Sequence, residues 1–382
     1  MIYFDNAATS WPKPQCVSAA MAAFMQRTGA SPGRSAHRRA VDCGRLLYET
    51  REAVSSFFHS PDPLRVVFTA NVTESLNLSL HGILRPGHHV ITSSMEHNSM
   101  MRPLRILERN GVELSVIRCS PQGLLDPDDI VPALRKNTVM IALNHASNVT
   151  GTIQPIAETG KIAREHDLLF LLDTAQSAGV IAVDMEEACI DLLGFTGHKS
   201  LFGPPGTGGL IVGERINEKT FLPLKTGGTG SRSELEEQPD FLPDRYESGT
   251  PNTVGIAGLL AALQWIEETG INTIREHEIM LTRRLLDGLQ AVPGVTVYGS
   301  SDAEKQTATV SFTVNKTSPS DAGLLLDDKH DILCRVGLHC SPSSHKTIGT
   351  FPEGTVRFGL GYFNTPEEVE KAIAAVEQIA GR

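Results

Sequence analysis

Short apolar runs closed by polar, turn-forming stretches recur along the chain from residue 65 to residue 212. Such runs mark strands buried on both faces. They predict strands over 65–69, 89–93, 111–116, 138–143, 168–172, 190–195 and 209–212. Amphipathic or capped segments predict helices over 15–27, 40–58 and 127–134, with a helix start near Thr73. Strands alternating with helices imply an α/β fold, a parallel sheet covered on both faces. The segment 29–37 reads as a loop by composition. Residues 222–244 change character, being rich in Gly, Ser, Pro and acid, and read as a long mobile loop of the lid or interface-arm kind. Beyond it, helices over 255–269, 274–289, 320–329 and 366–379 alternate with strands over 307–314, 331–336 and 355–359. The expected division is a large domain of 15–254 and a smaller α+β domain built from 1–14 and 255–382.

The stretch 168–209 carries the chemistry. Its two apolar runs end in Asp173 and in the pair His198-Lys199. In a parallel sheet such ends gather at one edge, where ligands bind. A carboxylate and a lysine facing one small molecule match a pyridoxal phosphate site. There a lysine holds the cofactor and an acid opposes the ring nitrogen. An ion pair between a surface lysine and a strand-end aspartate explains the two residues equally well. GPPGTGG at 203–209 looks like the front of a phosphate-binding P-loop, but Leu210 and Ile211 follow where Lys-Ser/Thr is required. The glycines are therefore expected to form a turn.

Other strand ends add candidates. Thr73 sits where strand gives way to helix, a place suited to a phosphate or simply to an N-cap. His97 follows the strand 89–93, where an imidazole can stack on a ring, move protons or serve structure alone. Asn148 lies in NHASNVTG, as a turn former or as a grip on a carboxylate or ring hydroxyl. Thr250, in YESGTPNT, is a second candidate phosphate ligand.

Composition narrows the partners. The chain has 382 residues and a formal net charge of -10, with no basic run, so nucleic acid is not an expected partner. No apolar window approaches the roughly 20 residues of a membrane span. The N-terminus lacks the pattern of a signal peptide. Six cysteines without paired spacing argue for reduced thiols and a cytoplasmic enzyme. Cys16, Cys43, Cys119 and Cys189 are expected in packing roles, as is Cys334. His330, Cys334, His339 and Cys340 fit no standard zinc spacing, so no metal is expected.

DNAATS, MEHNS, HASNVTGT, LDTAQSAG, GHKSLFGPPGTG, SGTPNT, RVGLHC and VRFGLGYFNT occur in this order across residues 3–364. In that order they resemble the motifs of class V, fold-type I pyridoxal phosphate enzymes, in particular the cysteine desulfurase and selenocysteine lyase branch. The resemblance implies a large cofactor-binding domain and a small domain. Lys199 would bind the cofactor covalently, Asp173 would pair with the ring nitrogen, Gln176 with the ring hydroxyl, and His97 would stack on the ring. Thr73, Thr196 and His198 match phosphate-binding positions. Thr250 matches a residue that reaches the neighbouring subunit's phosphate, which implies a homodimer. Asn148 and Arg357 match the grip on the substrate carboxylate, and Arg335 lies in the RVGLHC motif. Cys340 matches the cysteine that receives sulfur as a persulfide. The implied substrate is L-cysteine or L-selenocysteine, with room for a sulfur-acceptor protein. A class V aminotransferase or lyase acting on another amino acid is the alternative. The motif departs from the usual pattern at Leu338, where a histidine is more common, and Val72 replaces a hydroxyl residue. A free thiol of pKa about 8.5 is mostly protonated at neutral pH, so Cys340 needs a nearby base or positive charge, for which His97 and His339 are the candidates.

Overall fold

The computed structural model describes residues 1–33 and 37–381. Residues 34–36 of the expected 29–37 loop lie outside the described residues. The chain opens with β1 (Ile2–Tyr3), α1 (Gln15–Arg27) and α2 (Arg38–Phe57). It then runs through β2 (Val66–Thr69), α3 (Val72–Ile83), β3 (His89–Ser93), α4 (Asn98–Arg109), β4 (Glu113–Ile117) and β5 (Thr138–Asn144). Next come α5 (Ile156–Glu165), β6 (Leu169–Asp173), β7 (Leu192–Thr196) and β8 (Gly208–Val212). The remainder is α6 (Thr253–Thr269), α7 (Ile271–Ala291), β9 (Val295–Tyr298), β10 (Thr309–Val314), α8 (Pro319–His330), β11 (Ile332–Leu333), β12 (Arg335–Gly337), α9 (Pro342–Ile348), β13 (Thr355–Gly359) and α10 (Pro366–Ala380).

Seven strands form one sheet in the order β2-β8-β7-β6-β5-β3-β4. All neighbours are parallel except those of β8, which is antiparallel to both β2 and β7. The sheet is therefore mixed and not wholly parallel. The turn-rich segment 197–207 contains no helix, and a parallel return needs a longer crossover, so the chain doubles back. Every residue of β3, β7 and β8 is buried, including the polar His89, Thr92 and Ser93 of β3.

Two apolar clusters cover the faces of this sheet. One joins Ile141, Leu172 and Phe195 to Val17 of α1, Val54 of α2 and Leu259 of α6. The other joins Leu171 and Leu210 to Leu76 of α3 and Leu104 of α4. A separate cluster holds the four-stranded antiparallel sheet β12-β13-β10-β9 against α7, α8 and α10. Ile2 and Phe4 join that third cluster through β1, which pairs in parallel with β11.

Several local expectations change. Residues 127–134 form two short 3-10 turns, Pro127–Asp129 and Val131–Ala133, because Pro132 lacks the N–H that a continuous helix needs there. Helices α4, α5 and α9 and strand β9 had no counterpart in the pattern reading. α4 carries Pro103 in its interior yet buries Met100, Met101, Leu104 and Leu107, so packing outweighs the proline. Cys16 is exposed, whereas Cys43 and Cys119 are buried, and all six thiols are free. No helix or strand occurs between β8 and α6. No helix among the described residues is long and apolar enough to cross a membrane.

Candidate active site

The ends of β3, β5, β6 and β7 and the start of α3 converge on a cavity of about 260 Å3. Thr73, His97, Asn148, Asp173, Gln176, Thr196, His198 and Lys199 all line it. Asp173 and Thr196 end buried strands, His97, Asn148, Gln176, His198 and Lys199 lie in the segments that follow such strands, and Thr73 stands in the first turn of α3.

Asp173 closes β6 and is buried, with Ala175 N–H donating to its Oδ1 at 2.9 Å. Burial pushes its pKa up, opposed by that hydrogen bond and by Lys199. Lys199 follows β7. Burial pushes its ammonium pKa down to about 8, with Asp173 opposing the shift and Arg357 adding to it. The N-terminal segment clamps the backbone here. Ser10 Oγ donates to Lys199 O at 2.8 Å, and Thr9 Oγ1 and Lys13 Nζ donate to His198 O at 3.0 and 2.7 Å. Gln176 Nε2 donates to Ala7 O of the same segment at 3.0 Å.

His97 is the N-cap of α4, its Nδ1 accepting from Ser99 N–H at 3.1 Å. Burial and the charge of Lys199 push its pKa down to about 4. The imidazole is therefore neutral at pH 7, with its proton on Nε2. His198 is likewise lowered to about 4 by burial and Lys199. Beneath the cavity the fully buried Glu96 accepts from Ser93 Oγ at 2.7 Å and from Asn144 N–H, and burial pushes it up to about 8.

The segment after β12 brings Cys340 within electrostatic reach of Lys199. Cys340 is exposed, and its carbonyl accepts from Asn98 N–H at 2.9 Å, next to His97. His339 is buried and its Nε2 lies 3.0 Å from Thr355 Oγ1. Burial, with Arg357 nearby, lowers its pKa to about 2. Neither His97 nor His339 carries positive charge at neutral pH. The cations that interact electrostatically with Cys340 are Lys199, Arg335 and Arg357.

Arg357, on β13, is buried. Its Nη1 donates to Asn148 O and its Nη2 to Asp5 Oδ1, both at 3.0 Å. Arg335 forks onto the same Asp5 carboxylate, with Nη2 donating to Oδ2 at 3.0 Å. Asp5 thus ties two arginines together. Asp5 lies in the DNAATS motif, which carries the family resemblance but gives this residue no role of its own. Of the expected site residues, Arg335, Cys340 and Arg357 do not line the cavity but interact electrostatically with Lys199 at its edge, whereas Thr250 has no such link to it. It lines a broader groove with Thr69, Glu74 and Lys225.

The residues suit pyridoxal phosphate. Thr196 Oγ1 is buried with no partner among the described residues, at the position expected to face the phosphate. Arg357 Nε is buried and similarly unpartnered. Thr73 adds a hydroxyl at the start of α3, where helix N–H groups are free. Among the described residues, no group of three or more His, Cys, Asp or Glu side chains is arranged to hold a metal ion.

A lysine, a buried aspartate and an unpartnered threonine hydroxyl in one cavity at the sheet edge, beside a smaller antiparallel domain core, suit a fold-type I pyridoxal phosphate enzyme. A family model described as aminotransferase class-V matches residues 2–372, and the chain belongs to that family, whose members depend on pyridoxal phosphate. It is 33% identical over 385 residues to a probable cysteine desulfurase of Methanothermobacter thermautotrophicus, spanning 100% of this chain and 95% of the relative. It is 33% identical over 387 residues to a cysteine desulfurase of Salmonella typhimurium, spanning 99% of this chain and 93% of that one. The apo structure of a cysteine desulfurase from Thermococcus onnurineus NA1 matches with a TM-score of 0.93 at 34% identity, covering 100% of this chain and 94% of the other. A cysteine desulfurase from Escherichia coli matches with a TM-score of 0.86 at 27% identity, covering 98% and 94%.

Proposed function

We propose that the protein is a cysteine desulfurase that converts L-cysteine to L-alanine and leaves the sulfur on Cys340 as a persulfide. The observation that carries this reading is an exposed cysteine within electrostatic reach of Lys199, in a segment held by Asn98 at Cys340 and by Asn148 at His339. Bound pyridoxal phosphate supplies an electron sink for the charge that develops at the substrate Cα. Asp173 would oppose the positive ring nitrogen, Gln176 would meet the ring hydroxyl and His97 would stack on the ring. Thr73, Thr196 and His198 would hold the phosphate. Arg357 and Asn148 orient the substrate carboxylate, with Arg335 beside them. Lys199, whose pKa near 8 makes the neutral amine accessible at physiological pH, takes the Cα proton. The Cys340 thiolate then attacks the substrate sulfur. An S–S bond forms, the Cβ–S bond breaks, and its electron pair stays with Cβ, which takes a proton released from the thiols to become the alanine methyl, while Lys199 returns its proton to Cα.

The reading extends to the assembly. Thr250 sits outside its own chain's cavity, which supports its reaching the phosphate of a second copy in a homodimer. The packing of α6 on α1 and α2 argues for placing the boundary between the two domains near Gly270 instead of residue 254. Six free thiols support work in a reducing, cytoplasmic compartment. The exposure of Cys340 supports delivery of sulfur to an acceptor protein.

The test is direct. Holoenzyme given L-cysteine should release alanine and carry a persulfide at Cys340, and Cys340→Ala should abolish the persulfide while keeping the cofactor's absorbance. Normal persulfide yield in that variant overturns the assignment. Turnover of L-selenocysteine but not L-cysteine moves the reading to a selenocysteine lyase, and half-transamination with another amino acid moves it to an aminotransferase.

A further inference from the structure

The Asn148 amide is committed on both sides to the short segment that carries Cys340. Its Nδ2 donates to His339 O at 2.7 Å, and its Oδ1 accepts from Ser341 Oγ at 2.6 Å. Ser341 is fully buried and Asn148 nearly so, whereas Cys340 between the two contacts is exposed. The backbone at His339 and Cys340 has φ of 47° and 57°, a left-handed pair that non-glycine residues adopt at a cost. Such a segment keeps its shape only if its surroundings hold it. Here they include the Asn148 amide, the Ser341 N–H bond to Leu338 O, the Asn98 N–H bond to Cys340 O, the His345 N–H bond to Ser341 O and the contact of His339 Nε2 with Thr355 Oγ1.

A carbonyl can only accept, so His339 O fixes Nδ2 as the end of the amide that faces it, and the Ser341 hydroxyl then holds the other end by donating to Oδ1. An amide nitrogen has two hydrogens, and one remains after His339 is satisfied. Asn148 lines the cofactor cavity, and its own carbonyl receives Arg357. On the reading that Asn148 grips the substrate carboxylate, that remaining hydrogen is the one available for it.

We propose that Ser341 is a positioning residue that locks the Asn148 amide toward the substrate carboxylate and thereby couples carboxylate binding to the placement of Cys340. The carboxylate polarises the Asn148 N–H, and the polarised amide holds the His339–Ser341 turn more firmly. Substrate capture and alignment of the attacking sulfur are then one event.

The experiment uses pyridoxal phosphate-loaded enzyme with two probes, L-alanine and ethylamine, which has the amine but no carboxylate. In the wild type, L-alanine slows amide hydrogen exchange in residues 337–345, and ethylamine does not. Ser341→Ala binds L-alanine about fivefold more weakly, as loss of one buried hydrogen bond implies, and loses the L-alanine-specific protection even at saturation. Ser341→Thr, which keeps the hydroxyl, restores it. Equal protection by both probes in the wild type, or unchanged affinity and protection in Ser341→Ala, overturns the coupling. Asn148→Ala separates this from the underlying reading. If it binds L-alanine as tightly as the wild type by cofactor absorbance, the carboxylate role of Asn148 fails, and the coupling fails with it. If it binds weakly while Ser341→Ala is unaltered, only the coupling fails.

Discussion

Lys199 shows how a single side chain is tuned by its enclosure. Burial favours the neutral amine and Asp173 favours the ammonium, with a pKa of about 8 as the balance. The neutral amine is the form that captures an aldehyde. Below pH 8 the protonated fraction rises, so the rate at which apoenzyme takes up pyridoxal phosphate should fall about tenfold per pH unit. Above pH 8 it should level off. A stopped-flow absorbance series gives the profile, and a midpoint near the ordinary lysine value of 10.5 contradicts the burial argument. Lys199 and Asp173 stand out in the sequence because each ends an apolar run. Asp5 does not stand out, since its partners Arg335 and Arg357 lie 330 and 352 positions away. Ser341 is equally silent. Its neighbour Cys340 draws attention by chemical type, whereas a serine gains meaning only from the amide it touches.

At the scale of elements, the turn after β6 sets where the lysine sits. Gly179 has φ of 97°, and a Cβ there would lie 2.0 Å from Ser200 O, one residue beyond Lys199. Gly179→Ala must therefore strain its own backbone and push the lysine turn away. A loss of stability of at least about 1–3 kcal/mol is expected, with faster cofactor release. Denaturant titration and a cofactor off-rate measure both, and wild-type values for the pair contradict the close approach. Elements with strong periodicity were readable: the seven strands of the main sheet match the apolar runs to within a few residues. α4 was not, because Pro103 reads as a breaker and only the buried Met100, Leu104 and Leu107 reveal what stabilises it. The direction of β8 was hidden too, since an apolar run has no sign.

For the whole molecule the decisive question is whether one chain completes the site. Thr250 lies in a groove beside the N-terminal end of α3, with Lys225 paired to Glu74. Leu222, Leu224 and Leu235 are exposed in the segment between β8 and α6. If a second copy lends Thr250, sedimentation should give twice the chain mass, and Thr250→Ala should lower cofactor affinity about five- to tenfold, as loss of one hydrogen bond to a charged phosphate implies. A monomer with full affinity removes this part of the reading. What the amino-acid order alone carried was the sheet, its ligand edge and the residue types gathered there, because burial patterns and strand ends are local properties. What folding added was the orientation of β8, the clamp of residues 5–13 on Lys199, the double hold of Asp5 on two arginines, and the Asn148 link to Cys340. The last three join positions from 185 to 352 residues apart, and no local pattern encodes a contact whose partner is chosen by the path of the chain.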